Sequence, residues 1–305
     1  MTTYQSFKGI IPPVSTIFDD HQQFDPKGTS ILIDHLIASG VDGLFFLGTG
    51  GEFSQMSISQ RKQVAEFAVR HVNGRVPVLI GTGGTSTQEV IDLSLHAKEV
   101  GADGVVIINP YYWPLSEDNL YQHYSKIIEA VDLSILLYNF PNLTGQDLTP
   151  SFVKKLASTY ANVVGIKETV DEAGHIREMI LKVKEVRPDF SVLAGFDDHL
   201  FNTLALGGDG AISASGNFAP ELTIGIYQAF QENDLEKAIG LHRQLAPLPL
   251  MYKLDSPFVG VIKEAMVMRG IPVSTNVLPP STALSGDKKA ELRKILESAK
   301  LTLNK

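Results

Sequence analysis

Lys167 ends an apolar run, Val163-Val164-Gly165-Ile166, and is followed by Glu168-Thr169. A short apolar run that turns polar reads as a buried parallel strand entering a loop. A lysine held in apolar surroundings loses stability as an ammonium ion, so its pKa falls toward neutrality. The free amine is then a nucleophile able to form a Schiff base with a ketone. A strand-end lysine can instead lay its alkyl stem on the apolar surface and keep its charge in water, so this segment alone does not decide. Other chemically useful residues stand in Gly48-Thr49-Gly50-Gly51-Glu52, Asn109-Pro110-Tyr111-Tyr112 and Tyr138-Asn139-Phe140-Pro141. An iminium acts as an electron sink for making or breaking a C–C bond, and a tyrosine can move the proton of the hydroxyl involved. Glycine-rich turns leave N–H groups free for a carboxylate. Such a set suits Schiff-base chemistry on a 2-keto acid. Tyr138, within an apolar strand, also fits the role of a core aromatic with a satisfied hydroxyl.

These residues need elements that bring them together. Strand-like runs recur at 9–14, 43–48, 76–81, 104–109, 134–139, 163–167, 190–195 and 210–215. Amphipathic segments such as 59–72 and 87–100 lie between them. Strand–helix alternation implies parallel strands with right-handed crossovers. Eight such units predict an α/β fold, a closed (β/α)8 TIM barrel, with catalytic side chains at the C-terminal strand ends. Gly40-Val41-Asp42-Gly43 and Gly101-Ala102-Asp103-Gly104 each fall between a helix and the next strand, which is cap and turn chemistry. After the eighth strand the pattern is helical, near 221–231, 234–245, 256–269 and 286–299. The expected division is a barrel over 1–232 that carries the active site and a small C-terminal helical appendage over 233–305, packed on it.

Composition removes several classes. The 305 residues carry a formal net charge of −8, against nucleic acid or an anionic membrane surface as main partner. No cysteine is present, so disulfides, thiolate metal sites and a cysteine nucleophile are absent. No apolar stretch reaches the ~18 residues of a membrane span. The N-terminal Met1-Thr2-Thr3-Tyr4-Gln5 lacks the regions of a signal peptide, and the cytoplasm is the expectation. The glycine-rich turns match neither the phosphate-loop nor the dinucleotide pattern. The eight histidines form no closely spaced pair, so no metal site and no cofactor are expected. Asp197-Asp198-His199 follows a strand end, where an aspartate commonly caps the next helix. Trp113 suits an interface anchor or a loop plug equally well.

Taken together, Gly48-Thr49-Gly50-Gly51-Glu52, Asn109-Pro110-Tyr111-Tyr112, Tyr138-Asn139-Phe140-Pro141 and Gly165-Ile166-Lys167-Glu168 resemble the dihydrodipicolinate synthase / N-acetylneuraminate lyase superfamily over nearly the whole chain. The resemblance implies a (β/α)8 barrel with a C-terminal helical domain, usually tetrameric, that forms a Schiff base with pyruvate or a pyruvate-derived substrate. It implies Lys167 as the Schiff-base lysine and Tyr138 as the proton-relay tyrosine. Thr49 would position that tyrosine and the substrate carboxylate, with the Gly50 N–H as a second donor. Tyr112 would reach the relay of a neighbouring subunit in a homotetramer. Gly195 and Ile212 would line the pyruvyl pocket, and Thr169 would bind the substrate's sugar-like tail. Dihydrodipicolinate synthases typically carry Thr-Thr where Thr49-Gly50 stands, and an arginine where Leu143 stands. Losing that arginine is costly for a second substrate bearing a carboxylate. The pattern is more similar to bacterial 2-keto-3-deoxy sugar-acid aldolases, which release pyruvate and a hydroxyaldehyde. A dihydrodipicolinate synthase using aspartate semialdehyde and a non-catalytic keto-acid-binding barrel are the alternatives.

Overall fold

The computed structural model describes residues 4–304; Met1 to Thr3, part of the segment read above for a leader, lie outside it. Eight parallel strands form the barrel wall: β1 (Gly9–Ile10), β2 (Leu44–Phe46), β3 (Val78–Gly81), β4 (Gly104–Ile108), β5 (Ser134–Asn139), β6 (Val163–Glu168), β7 (Ser191–Ala194) and β8 (Gly210–Ala211). Their order is β1-β8-β7-β6-β5-β4-β3-β2. Pro13, just past β1, bridges Phe45 of β2 and closes the ring. Every strand residue is buried, as expected of strands covered on both faces.

The first and last strands are shorter than the apolar runs at 9–14 and 210–215 suggest. Pro12 and Pro13 have no N–H to give the ladder, so pairing after Ile10 becomes irregular. Gly9 and Gly210 approach so closely that a side-chain carbon on Gly210 would collide with the Gly9 backbone, and Gly210 sits at φ +145°. Ile212 still donates to the Ala194 carbonyl at 2.8 Å, after which the chain curls into a 3-10 turn, Ala214–Asn217. β7 ends one residue short of the expected range on each side, within ordinary fraying.

Helices α1 (Pro26–Ala38), α2 (Ile58–Val72), α3 (Thr87–Glu99), α4 (Glu117–Ala130), α5 (Pro141–Thr144), α6 (Pro150–Thr159), α7 (Ala173–Lys184), α8 (Leu200–Ala205) and α9 (Pro220–Gln231) surround the strands. Local signals set several of the starts: Ser57 and Gln60 form a capping box on α2, and Thr149 caps α6. In the repeated glycine–aspartate turns, Gly40 and Gly101 take left-handed conformations. The aspartates do more than turn the chain. Asp42 accepts from the Ile10 N–H at 2.8 Å and Asp103 from the Val78 N–H at 2.7 Å, each pinning the start of a neighbouring strand.

Beyond α9 come α10 (Leu235–Leu245), a 3-10 segment Leu248–Lys253, α11 (Val259–Met268) and α12 (Gly286–Ser298). The apolar core is one cluster running from Phe7 and the strands to Met251, Ile262, Leu292 and Leu301. No helix among the described residues is long and apolar enough to cross a membrane.

Candidate active site

At the C-terminal strand ends, Tyr138 and Lys167 are direct partners in the β5–β6 ladder. Neighbouring parallel strands in register present paired residues on one face, so this pairing alone sets phenol and amine side by side. The Lys167 Nζ lies 4.3 Å from the centre of the Tyr138 ring and 5.4 Å from that of Phe45. Lys167 is only 4% exposed. Burial drives its pKa down from 10.5 to about 7, against the pull of the Asp197 carboxylate, which favours the cation. At neutral pH much of this amine is therefore unprotonated.

Tyr138 is buried as well, and burial pushes its phenol up to about 12. Its hydroxyl stands 3.1 Å from the Thr49 Oγ1, a hydrogen bond that works against the shift. Thr169 lies close enough to favour the phenolate too, yet its buried hydroxyl has no partner with hydrogen-bonding geometry. Thr49 and Gly50 open the 3-10 turn Thr49–Gly51, and the first N–H groups of such a turn lack an intrahelical acceptor. The turn thus offers amide donors beside a hydroxyl, a suitable seat for a carboxylate.

A small cavity of about 80 Å³ joins Thr49, Gly50, Tyr138, Lys167, Thr169, Gly195 and Ile212. All the residues expected at the site except Tyr112 meet there. Gly195 has a steric reason for its identity: a side-chain carbon would collide with the Thr169 hydroxyl. Tyr112 lies elsewhere, 84% exposed with φ +85°, against Trp113 at 5.5 Å between ring centres. Both border a larger cleft of about 550 Å³ with His123 and Lys126, away from Lys167. Trp113 is therefore no plug for the Lys167 cavity.

The cavity also takes in residues that sequence reasoning did not assign to it, among them Asp197, Tyr252 and Phe258. Asp197 does not cap the following helix as expected; its side chain makes no cap bond. The strand end aims it inward instead, where Oδ1 accepts from the Ser215 N–H at 2.9 Å and Oδ2 from the Tyr252 hydroxyl at 2.6 Å. Tyr252 and Phe258 reach the cavity from beyond α10. Nothing in their local sequence marks them, because their place depends on how 246–258 folds over the barrel mouth. Among the described residues, no three histidine, aspartate or glutamate side chains are grouped to hold a metal ion.

The chain is 58% identical over 295 residues to an Escherichia coli K12 protein, YagE, provisionally named a 2-dehydro-3-deoxy-D-gluconate aldolase; the match covers 97% of this chain and 98% of that one. A second protein of the same organism, YjhH, provisionally named a 2-dehydro-3-deoxy-D-pentonate aldolase, is 54% identical over 96% of this chain and 97% of its own. The crystal structure of YagE in complex with pyruvate superposes with a TM-score of 0.96, covering 97% of this chain and 99% of that one. The dihydrodipicolinate synthetase family model matches residues 6–299, and with a buried strand-end lysine beside a phenol inside an eight-stranded barrel, the chain belongs to that family.

Proposed function

We propose that the protein is a Schiff-base aldolase that cleaves 2-keto-3-deoxy sugar acids, a gluconate or a pentonate, reversibly to pyruvate and a hydroxyaldehyde. The observation that carries this reading is the buried Lys167 amine, its pKa lowered to about 7, set over the Tyr138 ring in the small cavity at the strand ends. The names and pyruvate complex of the relatives support the same chemistry.

The amine attacks the C2 ketone, and loss of water leaves a cationic iminium. Tyr138 takes the proton of the C4 hydroxyl as the C3–C4 bond breaks, and the bond's electrons flow into the iminium to give an enamine. Because Tyr138 rests as a phenol, it accepts that proton while passing its own to the Thr49 hydroxyl, which releases its proton onward along the relay; the same path run in reverse delivers a proton to C3 of the enamine. The aldehyde leaves, the enamine is protonated at C3, and hydrolysis frees pyruvate and Lys167. No net oxidation occurs, and the reading assigns no cofactor. Thr49 and the Gly50 N–H hold the carboxylate, and Gly195 and Ile212 shape the pyruvyl pocket. Thr169, with its unpartnered hydroxyl, takes a hydroxyl of the substrate tail. Tyr112 completes the relay of a neighbouring subunit in a homotetramer; its exposure and distance from its own cavity support this role. The cytoplasm is the proposed location. Leu143, half exposed where related synthases carry an arginine, argues against a second substrate with its own carboxylate.

The test is borohydride reduction with pyruvate, read by peptide mass, alongside pyruvate release from a panel of five- and six-carbon keto-deoxy acids. A reduced pyruvyl adduct on Lys167 and release from at least one acid are expected. An unmodified Lys167 defeats the reading, and faster turnover of pyruvate with aspartate semialdehyde than with any hydroxyaldehyde reassigns it.

A further inference from the structure

Glu52 closes the glycine-rich turn, and the chemistry above gives it no task. Its backbone is left-handed, φ +60°, a conformation that a residue with a side chain keeps only when its surroundings hold it. Its carboxylate is fully buried with both oxygens engaged. Oε1 accepts from Lys263 Nζ at 2.6 Å, and Oε2 accepts from the Leu278 N–H at 2.8 Å. Lys263 is fully buried too, donates to the Asn276 carbonyl at 2.6 Å, and lies 4.6 Å from the centre of the Phe18 ring. The pair joins residues 211 positions apart, tying α11 to the end of β2.

Two buried charges lose their hydration, and their attraction repays the loss only in good geometry. An apolar pair of similar volume often supports a fold as well or better. Stability alone is thus a weak reason for this pair, whereas fixing the turn is a direct consequence of it. The Glu52 N–H closes the turn on the Thr49 carbonyl at 3.2 Å, and the Gly51 carbonyl accepts from the Thr16 hydroxyl at 2.8 Å. Ile262, beside Lys263, backs Gly50, where a side-chain carbon would sit 3.7 Å from its terminal methyl. The conformation held at Glu52 therefore aims the Thr49 hydroxyl and the Gly50 N–H.

We propose that Glu52 and Lys263 are positioning residues that set the carboxylate seat formed by Thr49 and Gly50, so that α11 controls affinity for the keto acid. This rests on the Schiff-base reading above, because the seat matters only if a keto acid binds. Lys263→Met strands a buried carboxylate and can fail to fold, so the deciding protein is the double variant Glu52→Gln/Lys263→Met, which carries no charge there. Borohydride trapping on Lys167 is measured against pyruvate concentration and pH. The half-saturating pyruvate concentration should rise about tenfold or more, while the extent of trapping at saturation and its pH midpoint stay as in wild type. If the double variant does not fold, Glu52→Gln alone is judged on the same measurements. Wild-type half-saturation in the folded variant overturns the proposal. So does a loss of trapping at saturation or a moved midpoint, which marks a general structural role. Absence of trapping in the wild type is a separate result and removes the Schiff-base reading itself.

Discussion

Lys167 and Tyr138 were legible as a pair because each ends an apolar strand, and adjacent parallel strands in register bring their ends together. Asp197 was not, because an aspartate just after a strand serves equally well as a helix cap or as a cavity residue, and only tertiary packing chooses. Here the Ser215 N–H and the Tyr252 hydroxyl draw it inward. The relay is testable at this scale. Tyr138→Phe removes the hydroxyl bonded to Thr49 and keeps the ring beneath the amine. Cleavage should slow about 10²–10⁴-fold, the usual worth of a positioned acid–base group, while pyruvate still forms the trapped adduct. Steady-state kinetics alongside mass analysis checks this; cleavage at the wild-type rate would remove Tyr138 from the relay.

Strand β6 presents different chemistry on its two faces. Lys167 points into the barrel, and Glu168 points out into a buried polar group that the sequence pattern did not foretell. Asn139 donates to the Glu168 Oε1 and to Asp147 at 2.7 Å each, and His175 pairs with Asp147 at 3.0 Å. Burial pushes the Glu168 carboxyl up from 4.5 to about 8, although His175 pulls the other way. The folded state therefore keeps a proton that the unfolded chain releases. Stability is lost as pH rises from 4.5 toward 8. Glu168→Gln resembles the protonated side chain and cannot ionise. Urea melts should show it more stable than wild type by on the order of a few kcal/mol at pH 8, with little difference at pH 4. Equal stabilities at pH 8 would contradict the buried, protonated carboxyl. Element lengths were legible in the middle of the barrel, where apolar runs meet no interruption. They were overestimated in β1, where two prolines lack the donors a ladder needs, in β2, which stops at Phe46 before the left-handed Leu47, and in β8, where the chain turns early.

For the whole molecule, alternation alone gave the barrel, but not how far the C-terminal helices enter its mouth. Tyr252 and Phe258 line the cavity, and Lys263 reaches the turn after β2. We propose the division near residue 232 as one of topology rather than of separate stability, since a single apolar cluster spans both parts. Thermal unfolding followed by calorimetry and by tyrosine absorbance should give one coincident transition. A separate early transition assigned to 233–305 would contradict that.

The central claim is that the fold lowers the pKa of one amine from 10.5 to near neutrality. Its most direct test is the rate of adduct formation on Lys167 at low pyruvate concentration, followed across pH. As pH rises the amine loses its proton, so the rate should climb through a midpoint at about 7 and then level off. A rate still climbing toward 10.5, the ordinary lysine value, would show an unperturbed ammonium ion and contradict the account.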